Sequence, residues 1–126
     1  MNNQQVDTLV RNLYRAVDNK DVDYLNTALS EQSRFRLGNY PEVTNKAKIL
    51  EGNSQFFSSI ESMKHTIDDI MFQGSDHTDS TRISCFGTVD YVRLDGSEYS
   101  AVFSTFLDVK NGLIEDYLVF ADISGL

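Results

Sequence analysis

Two side chains in this sequence join a titratable group to an apolar setting. His65 stands in the alternating run Met63-x-His65-x-Ile67, which places an imidazole on an apolar strand face, where a histidine can shuttle protons near neutral pH. Asp90 closes the run Phe86-x-Thr88-x-Asp90. A carboxylate sharing a strand face with aromatic residues is partly desolvated, the condition that poises it as a general acid or base. The two form an acid/base pair only if the fold brings them within about 3 Å, directly or through a water. The alternatives are a core histidine bonded to a carbonyl or packed carboxylate, and an aspartate on the solvated face. Tyr14, Tyr40, Tyr117 and Ser104 carry hydroxyls that can orient a carbonyl or hydroxyl on a ligand, or serve as core residues with one hydrogen bond each. Asp76, His77 and Asp79 lie in a polar turn with no fourth partner at a fixed spacing, so a solvated loop is expected there, not a metal site. Cys85 has no basic neighbour in sequence and reads as a packed thiol. With no Gly-rich phosphate loop and no histidine pair at metal spacing, neither a cofactor nor a metal is expected.

The elements that must position these groups belong to one compact domain. A chain of 126 residues, 40% of them hydrophobic, buries roughly two-thirds of its unfolded surface, enough for one core and one internal pocket. Lys and Arg number 11 against 19 Asp and Glu, a formal charge of −8, which excludes polyanionic partners such as nucleic acid and disfavours anionic membrane surfaces. There is no basic segment leading into an apolar run and no stretch long enough to span a bilayer. A single cysteine and the absence of Asn-x-Ser/Thr acceptors fit a soluble, cytoplasmic protein in a reducing setting.

Helical periodicity covers about residues 4–18, with Val6, Leu9, Val10, Leu13, Tyr14 and Val17 on one face. Asp21 is a plausible N-cap for a short helix burying Val22, Leu25 and Leu29. Arg34 to Leu37 alternates as a short strand, and 46–62 is helical again, weakened at Gly52 and Asn53. From Met63 the period falls to two. Turns at 74–80, Asp95-Gly96 and Asn111-Gly112 divide four antiparallel strands near 63–73, 80–94, 97–109 and 113–121, the last two turns being type I′ signals. Apolar parity changes at Asp68-Asp69, which predicts a bulge. Helices first and hairpin-connected strands second give an α+β fold with helices on one face of a curved, mostly antiparallel sheet.

The element order resembles the SnoaL-like branch of the nuclear-transport-factor-2-like superfamily. So do Tyr14-Arg15-Ala16-Val17-Asp18, Phe35-Arg36-Leu37-Gly38-Asn39, Phe56-Phe57-Ser58-Ser59-Ile60, Met63-Lys64-His65 and Asn111-Gly112-Leu113-Ile114-Glu115-Asp116-Tyr117. Where that family usually has a glycine after the strand-to-helix loop, this chain has Asn45, the next most tolerant residue for a left-handed backbone. The resemblance implies a cone-shaped sheet with an apolar pocket and a homodimer formed through the outer sheet face. Its relatives include ketosteroid isomerase, limonene epoxide hydrolase, scytalone dehydratase and polyketide cyclases.

Setting the strands by the two hairpin turns directs Phe86, Thr88 and Asp90, then Val102, Ser104 and Phe106, then Tyr117 and Val119 into the cone, beside Phe35 and Leu37. Tyr14, Tyr40, Phe56 and Ile60 complete the expected pocket. Val89, Tyr91, Tyr99, Ala101 and Phe103 are then the outer, dimer-forming face. By the same resemblance, the ketosteroid isomerase base falls at Leu37, its oxyanion acid at Ser104 and its helix tyrosine at Leu13, one place before Tyr14. The epoxide hydrolase groups fall at Val119, Thr88 and Asp90, only the last retained. Two functions follow as expectations. One is a cofactor-independent isomerase, cyclase or dehydratase acting on an apolar cyclic or polyketide-like molecule, with Asp90 and His65 as acid/base groups. The other is a non-catalytic ligand-binding or dimerisation module.

Overall fold

The computed structural model describes residues 1–74 and 79–126, which leaves Asp76 and His77 of the polar turn outside the described residues. Helix α1 (Asn3–Asp18) begins at a reciprocal cap: Gln5 N–H donates to Asn2 Oδ1, and Asn2 N–H donates to Gln5 Oε1. Its buried face, Val6, Val10, Leu13, Tyr14 and Val17, follows the three-and-four spacing of the sequence. Helix α2 (Val22–Ala28) is capped by Asp21, and Leu29, read as its last apolar residue, instead opens strand β1 (Leu29–Leu37). After β2 (Val43–Thr44), Asn45 takes φ +86° and caps α3 (Lys46–Ser58) by accepting from Lys48 N–H, so asparagine does serve where glycine is usual. Helix α3 runs unbroken through Gly52 and Asn53. It ends before residue 62 because Ile60 already pairs with Arg93 at the start of β3 (Ile60–Gly74).

Strands β4 (Ser80–Arg93), β5 (Glu98–Lys110) and β6 (Leu113–Ala121) complete a six-stranded sheet in the order β2-β1-β6-β5-β4-β3, antiparallel except where β1 runs parallel to β6. The core lies between this sheet and the helices, built on Leu13, Leu25, Ile49, Ile83, Leu107 and Ile114. Asn111 and Gly112 both have positive φ, as a type I′ turn requires. Asp95-Gly96 differs. Only Gly96 is left-handed, and the loop is three residues long, closed by Arg93 N–H donating to Ser97 O at 2.7 Å.

Among the register shifts of the sheet, two bulges bear on the expected site residues. In β3 the register steps from Ile67↔Gly87 to Asp69↔Phe86, leaving Asp68 without a partner where the sequence parity changes. The backbones approach so closely here that a Cβ on Gly87 would lie 1.8 Å from Thr66 O. In β6 the register steps from Val109↔Ile114 to Asp108↔Asp116, so Glu115 is the extra residue. That second bulge overturns the strand faces expected from the hairpin turns, which carried the Asn111-Gly112 register straight along the ladder. The helix-facing residues are Ile83, Cys85, Val89 and Tyr91 of β4 and Phe103, Thr105, Leu107 and Val109 of β5. Phe86, Thr88, Asp90, Val102, Ser104 and Phe106 lie on the outer face instead. Val89, Tyr91 and Phe103, expected outside, are buried, with Tyr99 and Ala101 packed against the same core. In β1 and β6, Phe35, Leu37, Tyr117 and Val119 face inward.

Candidate functional site

Two adjoining cavities lie on the helix side of the sheet, an inner one of about 40 Å³ and an outer one of about 350 Å³, sharing Phe35, Leu37, Asn53 and Phe56 as walls. Of the residues expected to line a pocket, Tyr14, Phe35, Leu37, Phe56, Tyr117 and Val119 line the inner cavity, and Tyr40 lies at the outer one, itself exposed. Ile60 is buried in the core but borders neither.

His65 forms part of the inner wall. Its ring stands between Tyr14, 4.4 Å away centroid to centroid, and the edge-on ring of Phe103 at 5.0 Å. Asp18, the last residue of α1, holds it from the other side. Asp18 Oδ1 lies 2.6 Å from His65 Nδ1, and Asp18 Oδ2 accepts the backbone N–H of His65 at 3.0 Å. The His65 side chain is 6% exposed and that of Asp18 22%. A carboxylate at a helix C-terminus opposes the helix dipole, and these contacts compensate it. With Nδ1–H donated to Asp18, the imidazole tautomer is fixed and Nε2 is left as the acceptor. On the far side, Tyr14 and His65 also wall a polar groove of about 270 Å³ lined by Arg11, Arg15, Asp18, Asn19 and Lys64.

Beyond His65, Tyr14 Oη hydrogen-bonds Thr105 Oγ1. Burial pushes the phenols of Tyr14 and Tyr117 well above their ordinary value, that of Tyr91 up to about 12, and the Cys85 thiol up to about 11. At neutral pH these groups keep their protons, so the wall offers hydrogen-bond donors and no anionic nucleophile.

Asp90 lies elsewhere. It is exposed on the outer sheet face, where Ser100 Oγ–H donates to its Oδ1 at 2.6 Å. Asp90 and His65 sit on opposite faces of the sheet, so the expected pair between them does not form; Asp18 is the carboxylate that His65 meets. Thr105 rather than Ser104 faces inward, and so does Tyr14, one place from where the resemblance set the helix tyrosine. Sequence reasoning missed Asp18 and Asn53. Each stands four residues from a buried neighbour on its helix, Asp18 after Tyr14 and Asn53 after Ile49, and that spacing was the available signal.

Solved structures show that the chain has the fold seen in NTF2-like proteins. An NTF2-like protein of unknown function from Burkholderia pseudomallei K96243 superposes with TM-score 0.81 at 17% identity, covering 99% of this chain and 95% of that one. ActVI-ORFA from Streptomyces coelicolor gives 0.77 at 17% identity, over 93% and 95%. An LEH-like epoxide hydrolase from M. tuberculosis gives 0.75 at 13%, over 91% and 80%. Within that fold the chain belongs to the SnoaL-like domain family, whose sequence model matches residues 10–117. No curated protein matches the chain. Among the described residues no helix is long and apolar enough to cross a membrane.

Proposed function

We propose that this protein is a cofactor-independent proton-transfer enzyme of the isomerase, cyclase or dehydratase type, acting on a small apolar, cyclic or polyketide-like molecule held in the paired cavities. The observation that carries the reading is the His65 imidazole clamped by Asp18 at the wall of an apolar cavity. His65 Nε2 takes the proton from an activated C–H of the substrate, and Asp18 stabilises the imidazolium that forms. The same proton is then returned at another atom of the substrate or exchanged with water in the polar groove that His65 and Asp18 also border. Asp90, exposed and across the sheet, has no part in this step.

The test is the exchange of the α-protons of 2-tetralone in D2O, followed by NMR. The wild type should accelerate exchange above buffer, His65→Gln should lower the enzymic rate by at least about 100-fold, and Asp18→Asn by about 10- to 100-fold. A wild type no faster than buffer would overturn the reading in favour of a non-catalytic ligand-binding or dimerisation module.

We also propose that two copies meet through the outer sheet face. Support comes from Phe86, Val102 and Phe120, which are 42%, 76% and 52% exposed there, on neighbouring strands of one face. These replace the residues first expected at that interface.

A further inference from the structure

Asn53 is a polar side chain that the fold leaves unpartnered. It lies at mid-length in α3, between Ile49 and Phe57 on the buried face, and is only 7% exposed. Among the described residues nothing hydrogen-bonds its carboxamide, yet its polar atoms are not sealed off, because Asn53 borders both cavities at their junction. With no protein partner, the amide is satisfied only by what enters the cavities, so a ligand that displaces water there must supply the partners itself. Leucine, of similar size, would continue the apolar stripe of the helix without that requirement.

We infer that Asn53 is the specificity-determining contact of the paired cavities, and that it binds a neutral carbonyl or hydroxyl oxygen on an otherwise apolar ligand. The inference rests on the cavities being the ligand site. Neutrality follows from the walls: among the described residues, neither cavity is lined by Lys, Arg, Asp or Glu. A carboxylate or ammonium would enter with no counter-charge, since the Asp18 carboxylate is already engaged by the ring and backbone N–H of His65. The carboxamide offers both a donor and an acceptor, so it suits a ketone, an enol or an alcohol. Size adds a constraint. The inner cavity of about 40 Å³ has room for about three water-sized groups, so a small oxygen-bearing head reaches past Asn53 toward His65 while the hydrocarbon frame stays in the outer 350 Å³.

The experiment titrates the ¹⁵N-labelled full chain with 2-tetralone, with tetralin and with tetralin-2-carboxylate. The ketone should bind about 3- to 10-fold more tightly than the hydrocarbon, the carboxylate should bind weakest, and the Asn53 side-chain NH2 resonances should move with the ketone only. In Asn53→Leu, ketone and hydrocarbon should bind alike. Should that variant not fold, the wild-type preference and the Asn53 resonances decide alone. If no probe binds, the cavity reading falls and this inference with it. If ketone and hydrocarbon bind the wild type equally, or Asn53→Leu keeps the preference, the cavity stands and the role of Asn53 is overturned.

Discussion

Asp18 holds His65 at two points, ring and backbone; Asp95 and Asp122 grip Ser97 and Ser124 in the same double fashion, but at exposed turns and not at a cavity wall. Asp90 is the better candidate in the sequence because aromatic residues share its strand; Asp18 ends the predicted helix just before the polar run Asn19, Lys20 and Asp21, with no apolar neighbour after it to mark it. Linear neighbours mislead at a helix end, since the last helical residue still belongs to the face of the residue four before it, here Tyr14. His65 was legible, because its apolar alternation survives in β3, but its partner, 47 positions away, was not. The same scale yields a stability prediction. If Asn53 is kept for a ligand, Asn53→Leu should stabilise the empty protein by about 1 kcal/mol, seen as a Tm raised by roughly 3–5 °C in a thermal melt. A structural role would give a lower Tm.

The two bulges show why the faces of two strands were misread. Ile67-Asp68-Asp69-Ile70 and Ile114-Glu115-Asp116-Tyr117 carry the same signature, two acids between apolar residues three apart. Both are bulges in the structure, with Asp68 and Glu115 the extra residues. Only the first was read, and because side chains alternate with period two, the unread one inverts every residue of β4 and β5 relative to β6. Alternation within β4 and β5 could not correct it, since aromatics occupy both parities: Phe86 and Tyr91, Phe103 and Phe106. Element order, the Asp21 cap and the type I′ turn at Asn111-Gly112 were legible because each depends on a few adjacent residues. The β3 bulge makes its own prediction. Gly87→Ala puts a methyl against Thr66 O and should cost about 2–3 kcal/mol, read from the urea midpoint at unchanged m-value.

For the whole molecule, burying a hydroxyl and thiol cluster has a consequence at high pH. Cys85 and Tyr91 ionise at about 11 and about 12 in the folded chain, against ordinary values of 9.0 and 10.0, and Tyr14 and Tyr117 are raised as well. The unfolded chain therefore loses these protons first. Their contribution is fully present below about pH 9 and declines as pH rises through the folded values. Urea titrations at successive pH values should show stability falling from about pH 9 upward, and Cys85→Ala should remove the earliest part of the fall. Assembly is also a property at this scale. With Val102 at the centre of the exposed apolar face, Val102→Lys should convert a sedimenting dimer to a monomer without loss of fold; a wild type that sediments as a monomer at micromolar concentration would remove the proposed interface. The proposed catalysis depends on the His65 ring, oriented by Asp18, presenting Nε2 to whatever occupies the cavity. Two-dimensional ¹H–¹⁵N spectra of the histidine ring test it most directly, recorded with and without 2-tetralone. Nδ1 should be protonated and unchanged, and the Nε2 resonance should shift on saturation; an unprotonated Nδ1, or an Nε2 that ignores a ketone bound in the cavity, would rule this role out.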